Sequence, residues 1–594
     1  MMKWLGKSGY KKFHIWRYKH ITHQQFLLFL AVVIGFASGM GVVVLKNLAH
    51  YIAEILEIGK LHSYHRYYYF ALPFIGLLLV VLVKKYLIKT EVGHGIPMAL
   101  YALARKNGIM ERKTMFSSIV TAPFTVGFGG STGLEGPAVA TGAALGANIS
   151  QFFHLDEKSR KLLLTCAAGA SLSAIFKAPI AAIVFCIEIF SLDLTLVSLM
   201  PLLIASVTAV ITRLFFLGEE YLVNFYDIQR FSLENIPFYL LLGGVTAFVS
   251  VYFSKVYFVA ERWFGQYKNP FAKIAIAGML LGLSIYVIPP LYGEGFKIMN
   301  SLIGLNYRAF FEHFFFPAYT SNRWVVATLM LGLILVKPFA TAITLHGGGV
   351  GGIFAPVLFT GIATGNLFAK LFDNLGVMLP FSNFTLVGMG GLMAGVLHAP
   401  LTAIFLIAEV TGGYELLVPL MITVAISFAI TRLYSKYSVY TKELAEKNSL
   451  VTHDKDQTIL TAMVLKNLIE RNFVSVRVEE NLGDLVSAVS RSSRNLFPVL
   501  DDEKHLVGII TLDAIRSIMF DVTKYKDIKV SDLMQRPPEL IFSDDTMKVT
   551  MDKFERSSAW NLPVVNHRDE YAGFISKSKL LTAYRRKLLA VSTV

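Results

Sequence analysis

The chain has 594 residues, of which 54% are hydrophobic and only 16% charged. A soluble protein usually carries about 25% charge, so a chain that faces water along its whole length is excluded. The net charge of +15 raises nucleic acid as a partner, but its placement argues for a membrane instead.

Lys3, Lys7, Lys11, Lys12, Arg17 and Lys19 precede the first acidic residue, Glu54, and an apolar stretch near Phe26 to Val44 follows them directly. That is the positive-inside arrangement, which places the N-terminus in the cytoplasm. The apolar stretch exceeds a signal-peptide core and more such stretches follow, so an uncleaved first helix is expected. Residues 1–23 read as a basic cytoplasmic segment and 24–445 as the membrane domain. Long apolar runs lie near 24–49, 68–87, 194–217, 236–259, 271–289, 324–343 and 414–433, each near the roughly 20 residues a spanning helix needs. Shorter runs at 135–150, 178–190, 352–365 and 400–409 are interrupted by Gly and Pro. Broken helices of this kind line cavities in transporters. Cys166 and Cys186 fall in apolar stretches without metal-ligand spacing and read as packing thiols.

The membrane domain repeats itself, over about 70–218 and 236–440. Gly133, Pro137, Thr141, Gly142 and Gly146 recur as Gly352, Pro356, Thr360, Gly361 and Gly365, at an offset of 352 − 133 = 219. Gly169, Ala178, Pro179, Ala182, Ile183 and Glu188 recur as Gly390, Ala399, Pro400, Ala403, Ile404 and Glu409, at 390 − 169 = 221. The matching does not by itself say whether the halves run parallel or inverted. After about Tyr440 the chain turns polar. Residues 446–456 read as a linker, and 457–594 as a soluble α/β pair (about 457–525 and 529–590). There, Phe497-Pro498-Val499 recurs as Leu562-Pro563-Val564, and Gly508 as Gly573.

Three Gly-rich loops lead into apolar helices: Gly93-His94-Gly95-Ile96-Pro97, Gly133-Leu134-Glu135-Gly136-Pro137 and Gly351-Gly352-Ile353-Phe354-Ala355-Pro356. Backbone N–H groups at a helix start, aided by the helix dipole, bind anions without a buried cation. Glycine lets the backbone approach an ion, and proline suits a first helical turn.

The first loop resembles the GSGIP signature of the CLC chloride channel and transporter family, the second its G(K/R)EGP signature and the third its GxFxP signature. Gly293-Glu294-Gly295 resembles a further family loop, and Tyr440 in SVYTKEL stands where the family carries an inner-gate tyrosine. The soluble pair resembles tandem CBS domains. The resemblance implies an all-α polytopic membrane protein with inverted repeats of broken helices, followed by an α/β CBS pair. It also implies a homodimer with one anion path per subunit. His94, Gly95, Ile96, Gly352, Ile353, Phe354 and Tyr440 would bind chloride or another small anion, and Glu135 would be the protonatable gate. No metal and no required cofactor is implied.

Three positions depart from the pattern. His94 replaces the usual serine, which opens the choice of anion. Ile189 stands where proton-coupled members carry an internal glutamate, one residue after Glu188, the remaining proton-path candidate. This favours a passive channel slightly over a proton-coupled exchanger; Glu188 also reads as structural, given its repeat mate Glu409. Leu134 replaces a basic residue before the gate. In the CBS pair, Thr511 and Asp513 are the candidate contacts for an adenine nucleotide, but Ala514 and Lys579 occupy the positions where a ribose-binding aspartate is expected. A divalent-cation transporter would need clustered carboxylates, and a membrane enzyme a recognisable catalytic motif; neither is found. The chain length and lack of a targeting segment suggest a bacterial inner membrane.

Overall fold

The computed structural model describes residues 16–17, 19–58, 65–89, 95–192, 195–219, 228–304, 323–446, 460 and 463–592. The chain divides into two compact units, residues up to 449 and residues from 450.

The first unit is helical. Its first half contains α1 (His23–Ile58), α2 (His65–Leu82), α3 (Ile96–Arg105), α4 (Thr114–Gly127), α5 (Glu135–Phe152), α6 (Glu157–Phe176), α7 (Pro179–Glu188) and α8 (Leu196–Leu217). Its second half contains α9 (Ile236–Gly265), α10 (Pro270–Val287), α11 (Phe296–Ile303), α12 (Arg323–His346), α13 (Phe354–Asn374), α14 (Phe381–Leu397), α15 (Pro400–Val410), α16 (Leu417–Tyr434) and the short α17 (Lys442–Glu446). Among the described residues, eight helices are long and apolar enough to cross a membrane; α3, α7, α14 and α15 are apolar but shorter.

The repeat seen in the sequence is also a repeat of backbone conformation. Leu134, the N-cap of α5, has φ −87° and ψ −6°; Ile353, the N-cap of α13, has −88° and −6°. Lys177 and His398, which end α6 and α14, are both left-handed, at φ 56° and 55°. Ala178 and Ala399 then cap α7 and α15 with nearly equal dihedrals, ahead of Pro179 and Pro400. A non-glycine residue pays for left-handed backbone only where its surroundings impose it, so two such residues at equivalent positions mark one inherited break.

The repeated glycines are explained by packing. α5 lies against α6, and α13 against α14. A Cβ on Gly146 would meet Ala167 Cβ at 2.8 Å, and one on Gly365 would meet Thr385 Cα at 2.9 Å. Gly142/Gly146 and Gly361/Gly365 are therefore small-residue stripes, one turn apart, that bring the helix backbones together; in lipid, such close approach drives helix association.

The halves are inverted. Gly133 and Gly352, equivalent residues, form an antiparallel bridge with reciprocal bonds: Gly133 N–H donates to Gly352 O at 2.9 Å, and Gly352 N–H to Gly133 O at 2.8 Å. A reciprocal pair between equivalent residues requires a local two-fold axis. α5 and α13 meet at their starts and otherwise hardly touch, so they run away from that axis in opposite directions.

The second unit contains two copies of a three-stranded sheet. In the first, β1 (Val476–Arg477) pairs in parallel with β2 (Leu496–Leu500), which pairs antiparallel with β3 (Leu506–Thr511). In the second, β4 (Ile541–Phe542), β5 (Asn561–Val565) and β6 (Tyr571–Ser576) repeat that order. The register breaks fall at Val499/Leu500 and Val564/Val565, equivalent positions in the two copies. Each copy has its own apolar core, with α18 (Leu482–Arg491) over the first sheet and α21 (Met547–Ser557) over the second. Between them in sequence lie the short α19 (Leu512–Ile515) and α20 (Val530–Leu533), and α22 (Lys577–Ser592) closes the chain. Leu496, Ile509 and Phe574 form a third cluster shared by both copies. The leading strands β1 and β4, two residues each, are too short to show an alternating pattern in the sequence.

Candidate functional site

Three helix starts converge in the first unit. Gly95, at φ 52°, precedes α3, and a Cβ there would lie 2.7 Å from Gly136 Cα at the start of α5. A Cβ on Gly136 would lie 3.0 Å from Gly352 Cα, ahead of α13. Only hydrogen fits between these backbones, which is the physical reason for glycine in all three loops. Thr132 Oγ1 donates to Gly352 O at 2.8 Å, Thr344 Oγ1 accepts from Ser131 N–H at 3.1 Å and Thr125 Oγ1 accepts from Val350 N–H at 3.0 Å, locking the loops to each other.

Glu135 opens α5 at this junction and is 1% exposed. Neither of its carboxylate oxygens completes a hydrogen bond of good geometry, although the backbone N–H groups of Glu135 itself and of Ala355 face them. The carboxylate folds back over its own turn: a Cβ on Gly133 would collide with it, and one on Gly352 would lie 3.5 Å from Oε2. The hydroxyl of Tyr440 is likewise buried and unpartnered, and the phenol lies within electrostatic range of Glu135. Buried polar groups are ordinarily satisfied; a carboxylate and a hydroxyl left open beside helix starts leave donors and acceptors for a transported species. Ile96, Ile353 and Phe354 are buried. The Phe354 ring packs against Phe176 at 4.9 Å and Phe185 at 6.4 Å, which fixes the first turn of α13. The structure thus brings together Gly95, Ile96, Glu135, Gly352, Ile353, Phe354 and Tyr440. His94 lies outside the described residues.

Glu188 is elsewhere and fully engaged. Its oxygens accept from Leu401 N–H and Thr402 N–H, both at 2.8 Å, and from Thr402 Oγ1 at 2.5 Å, at the start of α15. Glu409 does the same for α7, accepting from Ile180 N–H at 2.9 Å and Ala181 N–H at 2.7 Å. Each carboxylate at the end of one helix caps the start of its repeat mate, satisfying N–H groups that a helix start leaves open. The sequence match between Glu188 and Glu409 carried that signal.

Two groups near the junction were given no role from sequence: Glu294, noted there only as part of a loop resembling a family motif, and Lys337. Glu294 Oε1 accepts from Leu134 N–H at 3.0 Å. Lys337 of α12 is completely buried, a charge within an apolar span and hence a signal available in the sequence.

In the second unit, Thr511 Oγ1 accepts from Ala514 N–H at 3.3 Å and caps α19, while Asp513 pairs with Arg516 at 2.7 Å on the surface. A nucleotide using both would displace a cap and an ion pair. The more developed polar cluster lies across the two copies. Glu470 accepts from Ser576 Oγ at 2.6 Å and pairs with Arg494 at 2.5 Å, beside an open hollow of about 540 Å³ lined also by Arg471, Asn472 and Lys579. Burial works against charge on Glu470, but the Ser576 hydroxyl and the Arg494 guanidinium outweigh it and hold its carboxyl below the usual range. A depressed carboxyl stabilises the fold above its unfolded value, and that contribution is lost as pH falls through the lower folded value. Glu470→Gln is therefore expected to destabilise the second unit by about 1 kcal/mol at pH 7 and to have little effect near pH 3, measured by hydrogen exchange of β6 in the full chain.

A family profile described as voltage gated chloride channel matches residues 75–432, more than half of the chain. CBS domain profiles match 465–521 and 530–586. The H+/Cl− exchange transporter ClcA of Vibrio campbellii is 28% identical over 437 residues, covering 70% of this chain and 89% of that protein. A slow cyanobacterial Cl−/H+ antiporter has a similar crystal structure, with a TM-score of 0.60 at 23% identity, covering 71% of this chain and 97% of that one. A eukaryotic CLC transporter aligns over 93% of this chain and 97% of its own, with a TM-score of 0.58 at 16% identity; at these identities the two structures establish the fold.

Proposed function

This chain belongs to the voltage gated chloride channel family and transports anions across a membrane; from that premise we propose that it exchanges chloride for protons, with Glu135 as the group that alternately blocks the anion path and carries the proton. The observation that carries this reading is the Glu135 carboxylate, buried without a completed hydrogen bond where the starts of α3, α5 and α13 meet. Charged, it occupies a place suited to an anion; protonated, it loses that attraction and can leave, admitting chloride. The N–H groups of Ile353 and Phe354, and the Tyr440 hydroxyl, hold the ion; the Gly352 N–H, expected from sequence to join them, is taken by Gly133 O. The proton is thereby tied to the anion through competition for one place.

Support for exchange comes from the ClcA relatives, which are named H+/Cl− exchange transporters. It displaces the slight preference for a passive channel drawn from Ile189. The absence of a carboxylate at that position remains the specific observation favouring a channel, and the engagement of Glu188 as a helix cap adds to it. We further infer a homodimer in a bacterial inner membrane, with the N-terminus and the CBS pair in the cytoplasm and the latter regulatory.

Simultaneous chloride and proton fluxes in proteoliposomes test the reading. A chloride gradient is expected to drive protons uphill against an opposing pH gradient. Chloride flux with no uphill proton movement would establish the channel instead, and His94→Ser compared across chloride, nitrate and fluoride would assign the selectivity of the first loop.

A further inference from the structure

The loop Pro289–Gly295 is held at three points, and neither its one charge, Glu294, nor Lys337 beside it has a role in the transport reading above. Tyr292 Oη donates to Gly127 O at 2.7 Å at the end of α4. Glu294, between Gly293 and Gly295 with φ 64° and 86°, reaches the N-cap of α5 through Leu134 N–H. Lys337 of α12 comes from the other side: its Nζ donates to Gly293 O at 3.3 Å and Leu291 O at 3.5 Å and sits 4.7 Å from the centre of the Phe359 ring in α13. A fully buried amine and a half-buried carboxylate are each costly in a membrane and persist where they compensate each other. Closing the loop or capping one N–H does not require either charge.

We propose that Lys337 and Glu294 form a charge-compensated clamp that positions the Glu135 turn and balances the local charge when Glu135 gives way to an anion. Glu294 holds the N-cap of α5 in place while the neighbouring Glu135 side chain moves. Lys337 offsets Glu294, so an incoming anion does not meet an uncompensated carboxylate. Leu134 occupies the position before the gate where the family resemblance expects a cation, and α12 supplies one from a distant part of the chain. Among the described residues, the ionisable groups within electrostatic range of Glu135 and Glu294 also include Lys46 of α1 and Tyr440.

This inference rests on Glu135 being the gate, and the two can fail separately. The experiment measures chloride efflux and its pH profile from proteoliposomes for the native chain, Lys337→Met, Lys337→Arg, Glu294→Gln and the double variant Lys337→Met/Glu294→Gln. Lys337→Met is expected to slow efflux about tenfold, Lys337→Arg to stay within about threefold of native, and the double variant to recover to within about threefold, because it removes both charges together. Glu294→Gln keeps an acceptor for Leu134 N–H but removes a negative charge near Glu135, so its pH profile should move about one unit toward acid. If Lys337→Met does not assemble, as judged by gel filtration, the double variant and Glu294→Gln decide the matter. A double variant that stays at least tenfold below native, or a Glu294→Gln profile coincident with native, would overturn the clamp. Failure of the gate itself would show as native coupling in Glu135→Gln, whatever the clamp variants do.

Discussion

Glu135→Gln is expected to abolish uphill proton movement while chloride still crosses passively. Glutamine matches glutamate in size but neither carries a charge nor takes up a proton at neutral pH. The native carboxylate is buried, completes no hydrogen bond of good geometry and lies over the Gly133–Gly352 bridge, so its charge is held there by the field of the helix starts rather than by a fixed contact. Removing that charge removes both the tethered competitor and the proton carrier. Proton flux should fall at least a hundredfold and chloride flux should remain within about tenfold of native, without the native dependence on pH. Because the side chain completes no hydrogen bond, stability should change little. A variant that still drove protons uphill at the native ratio would eliminate Glu135 as the carrier.

Glu188→Ala is expected to damage the fold rather than the coupling. The carboxylate takes three hydrogen bonds at the start of α15, and bonds to an ionised acceptor contribute about 1.5–3 kcal/mol each before partial compensation. A loss of about 3 kcal/mol follows for the alanine, read as a lower midpoint of thermal unfolding in detergent. Glu188→Gln, which keeps one carbonyl acceptor, should recover roughly half of that and transport with the native ratio of protons to chloride. If the glutamine variant unfolds as native but carries chloride without protons, Glu188 is a proton station and its capping role is secondary. The mirrored cap supplies an internal comparison: Glu409→Ala should show a similar loss, since Glu409 holds the start of α7 in the same way.

The sites where sequence reasoning succeeded and failed differ in the range of the forces involved. Gly133, Gly352 and their flanking prolines were legible because broken helices leave a local signature of Gly and Pro in an apolar run. The pairing of Glu188 with Glu409 was legible as a repeat, but what each carboxylate touches was not: its partners lie 213 to 229 positions away. Lys337 was visible as a charge in an apolar span, yet its partners, the carbonyls of Leu291 and Gly293, are set by a loop that packs from another part of the chain. Glu470 gave no signal at all, because an exposed-looking carboxylate in a soluble module becomes a staple only when Arg494 and Ser576 are folded against it.

Membrane residence, the duplication, the α/β pair and the three glycine loops all follow from composition and periodicity, since these reflect the solvent around each residue and the conformations each residue tolerates. The tertiary structure decided the direction of the two halves, through the reciprocal bridge between Gly133 and Gly352. It also decided which of the membrane domain's carboxylates is open and which is spent as a cap. Those outcomes depend on contacts between segments some 220 positions apart, and hydrogen bonding at that separation leaves no pattern in the local order of residues.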